Sequence, residues 1–271
     1  MSTKTAELFL QDTYNFNCQA KLLRSMPAEP PSTSWLLAFD QTVFHPQGGG
    51  QPADIGLISK EGEEVPCFEV KHVFLSKKSE EAGMIWHQGL FKDPDTTPEE
   101  KATIGATFNL TINEEHRRTA ARLHSAGHLL DIAVRDIGGP TLKPSKGYHF
   151  ADGPYVEYAG DIRKCFSGDE AELEHIRSTL NKHLEELLSE VSGSTGEVAV
   201  KMTQNLSEYQ AATADTCEPS RPFPIRVIQI GEEPGCACGG THVSRIRDIG
   251  KLTATKIKVK KGATRVSYII S

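Results

Sequence analysis

Two kinds of hydrophobic pattern divide the chain. From residue 6 to about 112, short apolar runs (LFLQD, NCQAKLL, WLLAFDQTVF, DIGLIS, PCFEVKHVFL, IWHQ, ATFNLTI) are cut apart by Pro, Gly and charge clusters, which predicts the strands of a small barrel or sandwich. Beyond that point the period lengthens. In TAARLHSAGHLLDIAVRDI, Ala121, Leu129, Ile132 and Val134 mix with Arg118, Arg122, Asp131 and Arg135 in a helical pattern that Gly138, Gly139 and Pro140 bring to a stop. A second helix is predicted from about Asp169 to Val191. There Leu173, Ile176, Leu180, Leu184, Leu187, Leu188 and Val191 form one apolar stripe, the kind that usually lies against a core. GYHFADGPYVEYAG, VAVKM and RVIQI read as strands, with a short polar helix after VAVKM, and TKIKVKKGATRVSYII alternates as a closing hairpin. The expectation is an α+β protein with a β-barrel-like domain over 1–112 and a helix-plus-sheet domain over 113–271. PAEPPSTS reads as an exposed loop and SGSTG as a flexible connection.

Composition changes this picture little. At 271 residues, 38% hydrophobic and 24% charged, the chain can bury the cores of two domains. MSTKTAELFLQD has no apolar signal core, and no segment approaches the ~20 apolar residues of a membrane span, so the expectation is a cytoplasmic protein without a membrane partner. The six cysteines are scattered, which suits a reducing compartment and thiols free for metal.

Charge is uneven. The formal net charge is −6, yet from Arg245 to Ser271 eight lysines and arginines stand against Asp248 alone, and from Asp169 to Glu197 eight acids stand against Arg177 and Lys182. A basic end on an acidic body is compatible with a phosphate backbone at one face, Lys256, Lys258 and Lys260 being the candidate contacts; a strand edge guarded by lysines is the competing reading.

Two short motifs carry the candidate chemistry. His124 and His128, four apart on a helix, share one face and can reach one ion. Cys238 and His242 flank Gly239 and Gly240, which predict a tight turn that converges the two side chains. Together they offer four ligands to one Zn2+ per chain. A filled tetrahedron leaves no position for water, so either one ligand stands back or the ion orders a pocket. Cys236 could support or replace a ligand. The Gly-rich HPQGGGQP is neither a Walker loop nor a dinucleotide fingerprint, so no nucleotide cofactor is expected. Its alternatives are a tight inter-strand turn or a backbone that approaches a ligand closely, with Gln47 and Gln51 able to bond a hydroxyl or orient water. Arg117 and Arg118 could hold phosphate or form ion pairs.

The series HPQGGGQPAD (45–54), RR (117–118), HSAGHLL (124–130), CGGTHV (238–243) and IGK (249–251) resembles the editing domain of alanyl-tRNA synthetase and, more closely, the freestanding AlaX-type editing proteins. The GGT between Cys238 and His242 sets it apart from the related threonyl branch. His45 stands where that family carries Tyr or Phe.

This resemblance implies a two-layer editing domain with zinc between helix and sheet, following the N-terminal barrel domain, and metal ligands His124, His128, Cys238 and His242. It further implies a zinc-dependent hydrolase that removes the wrong amino acid from the acceptor end of tRNA(Ala) in trans, serine foremost and glycine next. Gln51 with the backbone of Gly49 and Gly50 is the expected catalytic group; Gln47, Arg117, Arg118, Lys256, Lys258 and Lys260 are the expected substrate contacts. A non-catalytic tRNA-binding module with structural zinc, and a zinc hydrolase of small esters or amides, are the alternatives from other classes.

Overall fold

Six antiparallel strands close into a barrel in the computed structural model, which describes residues 4–30, 33–92, 102–193, 196–213, 219 and 223–271. They are β1 (Asn17–Pro27), β2 (Trp35–Phe39), β3 (Gly56–Lys60), β4 (Phe68–Leu75), β5 (Ile85–Phe91) and β6 (Thr107–Ile112), in the order β1-β2-β5-β4-β3-β6. Pairing of Asn17–Lys21 with Thr107–Thr111 joins the last strand to the first, so no sheet edge is left open. Alternation sends Leu22, Leu37, Phe39, Phe68, Phe108 and Leu110 into the interior, where all are buried.

One expected strand is a different element. Leu8–Leu10 of LFLQD form a 3-10 turn, closed by Gln11 N–H and Asp12 N–H donating to the carbonyl of Leu8, with Phe9 buried in the barrel core. Three successive apolar residues lack the period of two that a half-buried strand needs.

The rest of the chain builds a mixed arrangement. Helix α1 (Glu114–Gly138) ends where Gly139, at φ 79°, takes up the left-handed conformation that closes helices. Strands β7 (Lys143–Tyr148) and β8 (Tyr155–Ala159) come next, then α2 (Leu173–Gly193), β9 (Val198–Thr203), α3 (Leu206–Thr213), β10 (Ile225–Ile230), β11 (Cys236–Ala237), β12 (Leu252–Lys260) and β13 (Ala263–Ile270). One sheet has the order β12-β13-β8-β7 and another β9-β10-β11. Lys261 and Gly262, both at positive φ, turn β12 into β13 as a two-residue hairpin.

The predicted stripe of α2 is core. Ile176, Leu180, Leu184 and Leu187 pack with Leu129, Leu130 and Ala133 of α1 and with Val156, Val266 and Ala254 of the four-stranded sheet. Asn181 fixes the register by donating to the carbonyl of Ala254 and accepting from its N–H, beside the irregularity between Ala254 and Lys256.

Among the described residues, those up to Gly48 and from Pro52 to Thr119 form one compact unit, and Gly49–Gln51 with Ala120–Ser271 form the other. The three residues 49–51 therefore group with the helices and open sheets. No helix of the described residues is long and apolar enough to cross a membrane. Residues 31–32 of PAEPPSTS, 194–195 of SGSTG, and Cys217 lie outside the described residues.

Candidate metal centre

Helix α1 carries His124 and His128 one turn apart, with ring centroids separated by 5.0 Å. Cys238 and His242 come from the turn that leaves β11. Arg226 of β10 holds that turn by donating to the carbonyls of Cys238 (2.8 Å) and Gly240 (2.9 Å), while Cys238 N–H donates to the carbonyl of Arg226. Gly240 is required by space: a Cβ there would lie 2.1 Å from Cε1 of His124.

One ligand atom from each of His124, His128, Cys238 and His242 lies within 4.8 Å of the others. Cys238 Sγ is 3.6 Å from His124 Nε2 and 3.2 Å from His242 Nε2. His128 Nε2 is buried without a hydrogen-bond partner. A buried nitrogen left unbonded is costly, and a metal bond is the interaction this donor set would supply. Three imidazoles and one thiolate suit a borderline-soft ion, and zinc fits that set.

Each histidine is also held at its other nitrogen. Gln51 Oε1 lies 2.7 Å from His124 Nδ1, and since an amide oxygen only accepts, Nδ1 carries the hydrogen and the Nε2 lone pair remains for the cluster. The same oxygen accepts from Thr241 N–H at 2.9 Å, and Gln51 Nε2 donates to Thr241 Oγ1 at 2.8 Å. Gln51 thereby joins the ligand helix to the ligand turn. Ser125 Oγ is 3.2 Å from His242 Nδ1, and Cys236 Sγ is 3.2 Å from His128 Nδ1. Burial, followed by the charge of Arg226, lowers the His128 pKa to about 4, which keeps it in the neutral form that binds metal.

A further histidine belongs to this cluster. His149 stacks on His124 with centroids 4.8 Å apart, and its Nδ1 lies 2.7 Å from the Tyr268 hydroxyl, which itself donates to the carbonyl of Leu123. Burial lowers its pKa to about 3. Gly127 and Gly147 make room for the ring: a Cβ at either would come within 2.3 Å and 2.5 Å of it. His149 has no spacing partner in the sequence; the three glycines around it, Gly50, Gly127 and Gly147, are the signal that was available. His149 N–H donates to the carbonyl of Gly50 at 2.8 Å, and a Cβ on Gly50 would stand 2.6 Å from the carbonyl oxygen of Gly147. The steric constraint of the Gly-rich loop thus falls on Gly50. Gly49, at φ 57°, has open space around it.

Beside His128 and Cys236 lies a cavity of about 240 Å³ with apolar walls from Ile132, Leu142, Ile228 and Ile230. Asp131 also lines it. Burial raises the pKa of this carboxyl to about 7, while the Tyr158 hydroxyl, donating at 2.8 Å, opposes the shift.

Arg117 is a correction: fully buried, it is unavailable to phosphate. Its Nε donates to Asp54 at 3.1 Å, and it also donates to the carbonyls of Thr13 and Val43. Asp54 in turn accepts from His45 N–H, and the buried His45 ring meets Phe9 edge-on. Arg118 is exposed, pairs with Glu114 at 2.7 Å and lies over the rings of Tyr14 and Phe16. Gln47 is exposed. Lys256, Lys258 and Lys260 are exposed along β12.

Fold and site define a mixed α+β protein with a half-buried His/Cys cluster able to hold one metal ion. Residues 225–267 match the family described as the threonyl and alanyl tRNA synthetase second additional domain. The chain is 28% identical to the alanine–tRNA ligase of Caldivirga maquilingensis, over 97% of this chain and 26% of the ligase. It is 28% identical to that of Methanobrevibacter smithii, over 98% of this chain and 27% of the ligase. It is 25% identical to the alanyl-tRNA editing protein AlaX-L of Pyrococcus horikoshii, over 86% of this chain and 50% of that protein. The chain spans half or less of the length of these curated relatives. With its motifs in the order of that family, the chain is similar to alanyl-tRNA editing proteins of the AlaX type.

Proposed function

We propose that this protein is a zinc-dependent deacylase that acts in trans on mischarged tRNA(Ala), on Ser-tRNA(Ala) first and Gly-tRNA(Ala) second. The observation that carries the reading is the cluster of His124, His128, Cys238 and His242, in which each imidazole is held at Nδ1 and the buried His128 Nε2 has no partner. Zinc held by these four residues supplies Lewis-acid character to the hydrolysis of an ester. Gln51 keeps His124 and the Cys238–His242 turn in register, so the donor set is formed before the substrate arrives. Gly50 lets the loop backbone approach the His149 segment closely. The uncharged His149 ring packs on His124 and helps exclude water from that side.

In this reading residues 1–112 form the barrel domain and 113–271 a two-layer editing domain, and the setting is cytoplasmic. The partner is the acceptor end of tRNA(Ala), with Lys256, Lys258, Lys260 and Arg118 as candidate backbone contacts and no nucleotide cofactor. Editing has a physical motive: a site shaped for a methyl side chain rejects a small hydroxyl analogue only weakly.

One observation favours a second reading. Four donor atoms already gathered within 4.8 Å also suit a closed structural site, in a module that binds tRNA without hydrolysing it. Deacylation of seryl-, glycyl- and alanyl-tRNA(Ala) by the purified protein, with metal content measured on the same sample, separates the two. Hydrolysis that disappears with Cys238→Ala supports the deacylase; tight binding with no hydrolysis supports the module.

A further inference from the structure

The four-stranded sheet has two unlike faces. Val156, Tyr158, Val266, Tyr268 and Ile257 point into the core, so the alternate residues point to solvent. On that outer face Tyr148 pairs across strands with Tyr155, Lys146 with Glu157, and Glu157 with Arg265, while Arg265 is opposite Lys258.

Three rings form a column there. Phe150 stacks on Tyr148 with centroids 4.5 Å apart and planes 14° apart, Tyr148 stacks on Tyr155 at 5.4 Å and 18°, and the Arg265 guanidinium lies 4.0 Å over Tyr155. Each ring is only half-buried. The column is fixed in advance. The Tyr148 hydroxyl donates to Asp152 at 3.0 Å, and Arg265 pairs with Glu157 at 3.0 Å. These contacts engage two acids near the column. Lys146, Lys256, Lys258 and Lys260 are exposed, and no ion pair engages them among the described residues.

We propose that this outer face is a platform for single-stranded RNA, on which an unpaired nucleobase extends the stack at Phe150 while the lysines of β12 run along the phosphates. The inference rests on the reading of the chain as a protein of tRNA and deepens it by naming the unpaired bases as what is held. A rigid aromatic surface beside uncompensated lysines matches both halves of a nucleotide, the flat base and the charged phosphate. A duplex fits poorly because its base faces are already stacked on each other.

The test uses the full chain and uncharged RNA, so its outcome does not depend on deacylation. Fluorescence anisotropy would compare a short single strand ending in CCA with a blunt duplex containing the same strand, over a range of salt. The single strand should bind roughly tenfold tighter or more. Phe150→Leu, which keeps apolar volume and removes the π face, should weaken binding by roughly tenfold with the salt slope unchanged, and Tyr148→Phe, which keeps the stacked ring but releases Asp152, should weaken it by less. Neutralising Lys256, Lys258 and Lys260 together should flatten the slope instead. Equal affinity for the duplex, or full affinity in Phe150→Leu, would overturn the platform. Preserved strand binding by a protein that deacylates nothing would count against the proposed function alone; preserved deacylation with no loss in Phe150→Leu would count against the platform alone.

Discussion

Gln51 Oε1 accepts from His124 Nδ1 at 2.7 Å and from Thr241 N–H at 2.9 Å, so one buried amide ties the two halves of the ligand set together. Gln51 therefore acts on the cluster itself. Gln51→Ala should lower zinc affinity by roughly 10–100-fold, read by competition with a chelator, because His124 loses the partner that fixes its tautomer and ring angle. Gln51→Glu, which retains an acceptor, should lose less. Equal affinity in Gln51→Ala and the parent would remove the residue from this role.

Gly240 and Gly49 should respond in opposite ways. A methyl group at Gly240 would sit 2.1 Å from the His124 ring, so Gly240→Ala should displace a ligand and strip most of the zinc. Gly49 has free space and only a positive φ to protect, so Gly49→Ala should cost roughly 1–2 kcal/mol of stability and leave zinc content intact. Elemental analysis with thermal unfolding checks both.

Arg117 should matter to the fold and Arg118 hardly at all. Removing Arg117 leaves Asp54 as a buried, uncompensated charge, so Arg117→Ala should cost roughly 3–5 kcal/mol in denaturant unfolding. Arg118→Ala, losing an exposed pair with Glu114, should change stability by less than about 1 kcal/mol.

Why some of this was legible in sequence, and some not, follows from locality. Helix α1, the stripe of α2 and the closing hairpin announce themselves through period and turn residues, as do the two metal half-sites through their four-residue spacings. The Arg117–Asp54 pair joins residues 63 positions apart and the Gln51–Thr241 bonds join residues 190 apart. No local pattern encodes such distances. The RR dipeptide looked like two equal cations, yet adjacent helical positions face different ways, and one arginine is enclosed while its neighbour is exposed. His149 has only an indirect signal in the sequence, because its partners are an aromatic 119 residues away and glycines that leave space rather than make contacts.

Acid should weaken the barrel through His87. This ring is fully buried; Nδ1 donates to the carbonyl of Leu37 at 3.1 Å and Nε2 accepts from Thr42 Oγ1 at 2.8 Å. Burial lowers its pKa from 6.5 to about 4, against the opposing effect of the Leu37 carbonyl. The unfolded chain takes up the proton first as pH falls. The contribution is therefore complete above about pH 6.5 and is lost progressively down to about pH 4, amounting to roughly 3 kcal/mol. His87→Gln should flatten the stability curve over that window, as measured by denaturant unfolding at a series of pH values. A parallel curve in the variant would assign the acid sensitivity to other groups.

The most direct measurement of the account as a whole is the rate of serine release from Ser-tRNA(Ala) set against alanine release from Ala-tRNA(Ala), with the same zinc-loaded protein. The proposed editing role predicts serine release faster by roughly tenfold or more, because a site that hydrogen-bonds a serine hydroxyl is left with an unpaired group when alanine takes its place. Equal rates would contradict it, since an editor that destroys the correct product corrects nothing.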